Sequence, residues 1–435
     1  MKAINIKKIL SLKNFLLLWS GQTLSQMGSS MTSFALIIWA YQKQGTVMSI
    51  ALLSVFSYLP YVLVSFFAGA LIDRLNKKKI MLTCDAIATI CSLCAFSLLF
   101  FGMLDVWHLY VINVVSGFMN AFQAPASKVV TTLIVPKEHY TRVSGLRSLS
   151  DSVISVFSPI LATTIISLLG ISIVFVIDFM TFVIAFLSLL LLVKIPYKVT
   201  EAKDSFKANI IKESLQGYDY LKENKGFLYL ILFISGINFL ASIAFFNVLP
   251  AMILTLSGNN EKILGLVTGA VGVGGIVGSL LVTICRPPKS HVKAIFISAA
   301  LSYLLCDLLL GIGKTPLMWT FAAFAGNLPI PFLNASENYL LMSKIPQDIQ
   351  GRIFSIRGSL KFITMPAGYL IGGLLSDKVF EPLMAYSQRA QQLFGGIVGV
   401  GKGSGMALIF IITGILGFSF SVISYSNKHI RRLDD

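Results

Sequence analysis

Charge is what this 435-residue chain has least of. Only 12% of it is Asp, Glu, Lys or Arg, with 19 acids against 35 bases, too few polar side chains to coat the two or three soluble domains such a length would suggest. Histidine is scarcer still. The four, His108, His139, His291 and His429, are scattered at loops and at the ends of apolar runs. They offer no metal-ligand spacing, and no nucleophile–base constellation is legible, so neither a metal nor an enzymatic activity is expected. Five cysteines, Cys84, Cys91, Cys94, Cys285 and Cys306, all lie within or at the end of apolar runs. Cys91-x-x-Cys94 has redox or metal spacing, but no second pair or ligating His accompanies it, so no disulfide is assigned.

What is present is apolar surface. The chain is 55% hydrophobic with a mean hydropathy of +0.80, gathered in runs of about twenty residues or more, the length a helix needs to cross a bilayer core of about 30 Å. Such runs fall at 14–40, 48–72, 79–101, 106–135, 143–169, 171–194, 227–256, 262–285, 292–312, 316–343, 353–376 and 405–426. The expectation is an all-α membrane protein of twelve transmembrane helices. The lysine-rich start resembles a signal peptide, but the run after it is too long for one and lacks a small-residue cleavage site, so it reads as an uncleaved first span. The net charge of +16 would suit nucleic acid, yet its placement argues for lipid. Alternate loops with the span ends that border them hold 27 of the 35 bases and the other loops with theirs hold 6, with Lys128 and Lys361 deeper inside spans. That asymmetry predicts both termini in the cytoplasm.

One polar stretch of length remains on the inner side, 194–225. Phe206, Ile210, Ile211, Leu215, Tyr218 and Leu221 follow helical spacing in it, which predicts an amphipathic helix on the inner leaflet. It divides the chain into a six-helix bundle at 1–195, a linker at 196–225 and a second six-helix bundle at 226–435. The halves repeat. Thr141-Arg142-Val-Ser-Gly-Leu-Arg147 aligns with Gly351-Arg352-Ile-Phe-Ser-Ile-Arg357 at an offset of 210, and Gly69 with Gly278 at 209. Two pseudo-symmetric bundles are the internal symmetry of a transporter that works by rocking one half against the other. The glycines at Gly265, Gly269, Gly274 and Gly278 read as helix-packing surfaces. Gly396-Ile-Val-Gly-Val-Gly401-Lys402 lacks the Ser or Thr of a phosphate loop, which excludes an ATP site. The stretch Asp377–Gly405 reads as a surface helix and a flexible glycine-rich loop.

The hairpin between the second and third spans, Gly69-x-x-x-Asp73-Arg74-x-x-Lys77-Lys78, resembles the signature loop of the major facilitator superfamily. Trp19-Ser-Gly21-Gln22 in the first span, Ala124-Pro125-Ala126 in the fourth and Val176-Ile-Asp178 in the sixth are similar to the macrolide-efflux branch of its drug/proton antiporters. The resemblance implies a twelve-helix fold, transport driven by a proton gradient without a cofactor, and a loop acid, Asp73, that caps the inner end of the eleventh span. Asn76 stands where the family has glycine and is expected to keep a left-handed turn, being the residue next best suited to one. Ser116 replaces the basic residue typical of proton-coupled relatives in the fourth span. In the fifth, Ser158-Pro159 is all that remains of the exporters' glycine–proline element, whereas Met365-Pro366-Ala-Gly368-x-x-x-Gly372-Gly373 in the eleventh preserves its equivalent.

Charges inside the spans carry more information about mechanism. Lys128 and Asp151 face the same inner loop from the fourth and fifth spans, and the repeat places Glu337 and Lys361 at the matching positions of the tenth and eleventh. Each half thus has one acid and one base at equal depth. They pair either within each half or across the halves when the inner side closes, and in the second case Glu337 is the candidate proton site. Asp85 is expected to balance Arg74 and the nearby lysines, and Asp178 to anchor helix packing. By family analogy spans 1, 4, 7 and 10 line a cavity. They offer Gln22, Gln26, Asn113, Asn120, Phe122, Asn238, Phe245, Phe246 and Asn334, joined by Met365 and Tyr369 from span 11. A largely aromatic surface with scattered amides suits bulky amphipathic substrates. The expected function is efflux of such compounds by a monomer in a bacterial plasma membrane. An exporter of an endogenous siderophore or peptide, or a lysolipid or lipid translocase, are the alternatives.

Overall fold

The computed structural model describes residues 13–135, 140–193, 218–285, 288–345, 353, 357, 358, 360 and 363–434; at 65–74, 128, 132, 140–142, 144, 145, 148 and 342 only the backbone is described. No strand occurs among the described residues. Helical stretches follow the apolar runs in order: α1 (Lys13–Gln44), α2 (Val47–Arg74), α3 (Lys77–Phe100), α4 (Val106–Ile134), α5 (Tyr140–Leu169), α6 (Ile171–Leu187, widening through Ser188–Leu192), α7 (Lys225–Ile243 and Val248–Leu256), α8 (Glu261–Ile284), α9 (His291–Tyr303, widening through Leu304–Leu308, then Leu309–Ile312), α10 (Pro316–Asn327 and Ile330–Lys344), α11 (described over Met365–Leu374, then Leu375–Phe380 and Glu381–Tyr386) and α12 (Ser404–Tyr425). Among the described residues eight helices are long and apolar enough to cross a membrane: α2, α3, α5, α6, α7, α8, α9 and α12. Of the rest, α1 and α4 carry the amides Gln22, Gln26, Asn113, Asn120 and Gln123, and α10 is interrupted at Leu328–Pro329.

Local chemistry sets the helix starts. Asn76 sits at φ −69°, ψ 109° and its side chain accepts from the Lys79 N–H. The expected left-handed turn is therefore absent; Asn here serves as an N-cap, the role its short acceptor side chain suits best. Asp105 and His108 form a reciprocal box at the start of α4, and Asn260, Ser290 and Thr315 cap α8, α9 and α10.

The chain divides into two compact units, one of Met1–Trp39 with Phe56–Ala202, the other of Ala40–Val55 with Lys203–Asp435. In the first unit Leu18, Met81, Ala126, Val130, Leu189 and Val193 form a core shared by α1, α3, α4 and α6. Met31, Ala35, Ala162 and Val174 join α1, α5 and α6. In the second, Phe227, Leu230, Phe233, Ile295, Phe296, Leu340 and Ile430 form one larger cluster. Of the amphipathic linker, Leu221 is buried in that cluster and Tyr218 is exposed. Phe206, Ile210, Ile211 and Leu215 lie outside the described residues.

Glycines set the closest approaches. A Cβ at Gly274 or Gly278 of α8 would lie 2.3 Å from the carbonyl oxygen of Phe324 or Leu328, so these positions pack α8 directly on α10, as the small-residue spacing predicts. The stretch after α11 is not a flexible loop. The Glu381 carboxylate accepts from the Gly403 and Met406 N–H groups and closes the turn into α12, with Gly399, Gly401 and Gly403 at positive φ.

Candidate functional site

Glu337 on α10 is buried at 1% exposure, and the Arg357 guanidinium grips it as a fork, Nε to Oε1 at 2.5 Å and Nη2 to Oε2 at 2.5 Å. The Nη2 contact is a charge-assisted hydrogen bond, while Nε and Oε1 are ion-paired without hydrogen-bond alignment, so an ion that hydrocarbon would penalise is neutralised beside it. Glu337 is thus paired within its half by Arg357; Lys361, its expected partner, lies outside the described residues. The repeat mate does the same work with neutral partners. Arg147 on α5 donates to the Ser127 carbonyl and hydroxyl oxygens at 3.0 Å each and to Thr131 Oγ1 at 2.5 Å on α4. Both arginines were visible in the aligned segments, where they read only as markers of the repeat. Asp151 is exposed one turn along α5 from Arg147, and the Lys128 side chain lies outside the described residues.

Among the described residues Asp85 on α3 is bonded by amides: Gln22 Nε2 on α1 reaches Oδ2 at 3.1 Å and Gln123 Nε2 on α4 reaches Oδ1 at 2.8 Å. Of the bases expected to balance it, Lys78 donates to the Leu190 and Val193 carbonyls at the end of α6, where a cation meets the negative end of the helix dipole. Arg74, with Gly69 and Asp73, belongs to the last turns of α2, whose side chains lie outside the described residues; Lys77 opens α3. The other interior acids are packing anchors. Asp178 on α6 accepts from Ser29 and Ser92, tying α1 and α3 to it, and Asp307 on α9 accepts from Thr413 on α12.

The residues expected around a cavity fall into three groups. Gln26, Asn120 and Asn334 are exposed on α1, α4 and α10, and Phe246 is 45% exposed at the break in α7. Asn113 and Asn238 turn their amides back onto the Leu109 and Ile234 carbonyls of their own helices, while Phe122 and Phe245 are half-buried. Met365 and Tyr369 are buried in the α7–α11 seam. That seam is tight because Gly368 and Gly372 present no side chain; a Cβ at Gly372 would lie 2.1 Å from the Ile243 carbonyl oxygen. Here α7 unwinds over Ala244–Asn247, and the buried Asn247 donates to the Tyr369 carbonyl at 2.8 Å.

The second unit also holds the short hairpin Ala40–Val55. Asp377, beyond the end of the eleventh apolar run, accepts from the Val47 and Met48 N–H groups at 3.0 and 2.8 Å. Tyr41 bonds Thr255 at 2.5 Å and Gln42 donates to Glu261 at 2.8 Å. Burial pushes the Asp377 carboxyl above its ordinary range, against the opposing pull of the two backbone N–H groups and Lys378.

Long apolar helices whose interior acids are matched by an arginine, amides or hydroxyls define a multi-pass membrane protein of the transporter class. The chain belongs to the Major Facilitator Superfamily, whose family model matches residues 18–369. It is 27% identical to macrolide efflux protein A of Streptococcus pyogenes over 392 residues, 84% of this chain and 90% of that one. It is equally 27% identical to macrolide efflux protein A of Enterococcus faecalis over 343 residues, 73% and 97% of the two chains. Among solved structures it shares its fold with the nucleoside transporter NupG (TM-score 0.67, 14% identity, covering 96% of this chain and all of that one). A bacterial homologue of the iron transporter ferroportin in an inward-facing state is similarly alike (TM-score 0.66, 15% identity, 96% and 99% covered).

Proposed function

We propose that this transporter exports bulky amphipathic compounds of the macrolide type across the cell membrane, exchanging them for protons by alternating access. The observation that carries the reading is the match to proteins named for macrolide efflux along nearly their whole length. The sparse interior polarity supports it. Gln26, Asn120 and Asn334 are exposed amides, Phe246 is an exposed ring, and the buried Glu337 is neutralised by Arg357. A carrier of sugars or amino acids needs denser polar contacts than these. On this reading the loops rich in Lys and Arg, with both termini, face the cytoplasm, the bundles 1–195 and 226–435 flex about the linker, and a single chain suffices.

Purified protein in liposomes tests it. A macrolide such as erythromycin should accumulate inside vesicles whose lumen is made acidic, and collapse of the pH difference with an ionophore should abolish the accumulation. Accumulation that ignores the pH difference overturns proton exchange, and failure of macrolides of every ring size to move overturns the substrate class.

A further inference from the structure

The amide-bound carboxylate of Asp85 is built unlike the other interior acids. Gln22, Asp85 and Gln123 come from three helices of one unit, two to three turns, roughly 12–17 Å at 1.5 Å per residue, from the starts of α1 and α3 and from the end of α4. The three side chains close a triangle, since Gln123 Nε2 also reaches Gln22 Oε1 at 3.3 Å. One corner is left over: the Gln123 Oε1 is buried and has no hydrogen-bond partner. The triangle holds four acceptor oxygens and only amide donors. A proton on Asp85 is the donor it lacks, because a carboxyl O–H can reach an amide oxygen once the amide turns over. Protonating Asp85 therefore completes a hydrogen-bond pattern that the charged carboxylate leaves with the Gln123 Oε1 unpaired.

Among the described residues no base is bonded to the Asp85 carboxylate. On α3 the neighbours are Cys84 and, toward the helix start, Lys78 and Lys79, with Lys78 engaged at the end of α6. On α6 Asp178 is held by Ser29 and Ser92, two turns beyond Asp85 along α3. On α1 and α4 the facing groups are the two amides, the side chains of Asp73, Arg74 and Lys128 lying outside the described residues. Exposed Gln26 and Asn120 stand about one turn along α1 and α4 from Gln22 and Gln123, on the same helix faces. They extend the polar track outward from the triangle.

We infer that Asp85 is the group that takes up and releases the exchanged proton, with Gln22 and Gln123 positioning it and switching amide orientation between its two states. The inference rests on the proton-exchange reading above and names the residue that performs it.

Full-length wild type and Asp85→Asn, purified side by side, decide the matter with two assays, erythromycin accumulation in liposomes driven by a pH difference and proton release on erythromycin addition in weak buffer. Asn is the shape of the neutral acid and brings the missing N–H donor, so the variant should fold with a melting temperature near that of wild type, lose accumulation to the level of gradient-free vesicles and release no protons where wild type does. Asp85→Glu should restore both at least in part. Accumulation or proton release in Asp85→Asn equal to wild type overturns the assignment while leaving proton exchange standing. A wild type indifferent to pH removes the underlying reading and this inference together.

Discussion

At the scale of single residues, two contacts set strong expectations. Arg357 holds a carboxylate that is almost wholly buried, so Arg357→Ala leaves that charge unpaired, at a cost of about 3–5 kcal/mol. Its melting temperature in detergent should fall well below that of Glu337→Gln, in which the buried charge itself is gone and the partly exposed arginine can reach water. A smaller loss in Arg357→Ala than in Glu337→Gln would mean the fork is not what holds α10 to α11. Gly372 is the second case. A methyl group there meets the backbone carbonyl of Ile243, which has no flexible end to move aside, and overpacking of this kind costs about 1–3 kcal/mol. Gly275→Ala is the matched control. Nothing lies within 4 Å of its Cβ, and alanine gains up to about 1 kcal/mol of helix propensity. Thermal unfolding should separate the two in opposite directions. Gly372 was legible only within the Met365–Gly373 element that the family resemblance supplies, and Gly275 was not singled out. The acid Glu337 was legible, with Lys361 as its expected partner; that Arg357, one helical turn earlier, reaches it depends on how α10 and α11 are rotated against each other.

At the scale of elements, the hairpin Ala40–Val55 and the end of α11 form a contact that responds to pH. Asp377 sits on the first N–H groups of α2, where a carboxylate is stabilised by unpaired donors and the helix dipole, yet its burial outweighs this and raises the carboxyl above the ordinary value. Tyr41, Glu261, Lys378 and Glu381 are the titratable groups around it. The sign follows directly. The docked hairpin binds the Asp377 proton more tightly than a released, hydrated one. Docking therefore gains stability as pH falls through the raised value, holds the full gain below the ordinary carboxylate range, and loses it as pH rises again. Hydrogen exchange at the Val47 and Met48 amides, corrected for intrinsic chemistry, should show greater protection at mildly acidic pH than at neutral pH. Asp377→Asn should flatten the profile. Protection in wild type that is constant with pH would remove the switch. On the proposed orientation this end faces outside, so acid there favours the docked hairpin. None of this was readable beforehand. Asp377 looked like the first residue of a polar loop, because whether a helix ends or widens and continues, as α11 does, is decided by tertiary packing.

At the scale of the whole molecule, composition alone carried the class and the order of helices, since runs of apolar residues long enough for a bilayer have few other uses. What stayed hidden were the features that give a transporter its working parts. The break in α7 at Ala244–Asn247, the widened turns of α6, α9 and α11, and the amide triangle around Asp85 all arise from contacts between helices, which periodicity within a helix does not encode. The placement of Lys and Arg, 27 in alternate loops and the span ends bordering them against 6 in the others, makes a claim about the entire chain that contact geometry does not address. Positively charged loops remain in the cytoplasm during insertion, so the orientation predicted from it can be read loop by loop. In a background with the five native cysteines replaced, Lys262→Cys, Lys314→Cys and Lys402→Cys should react with a membrane-impermeant thiol reagent applied to intact cells. Lys289→Cys and Lys428→Cys should react only after the membrane is opened. An even number of crossings between any two positions labelled from the same side is the necessary companion result. If Lys314→Cys and Lys289→Cys proved to share a side, α9 would not cross the membrane and the twelve-span reading would fall. If every label were reversed, the spans would stand and the charge argument would fail, taking with it the assignment of Asp377 to the outer face.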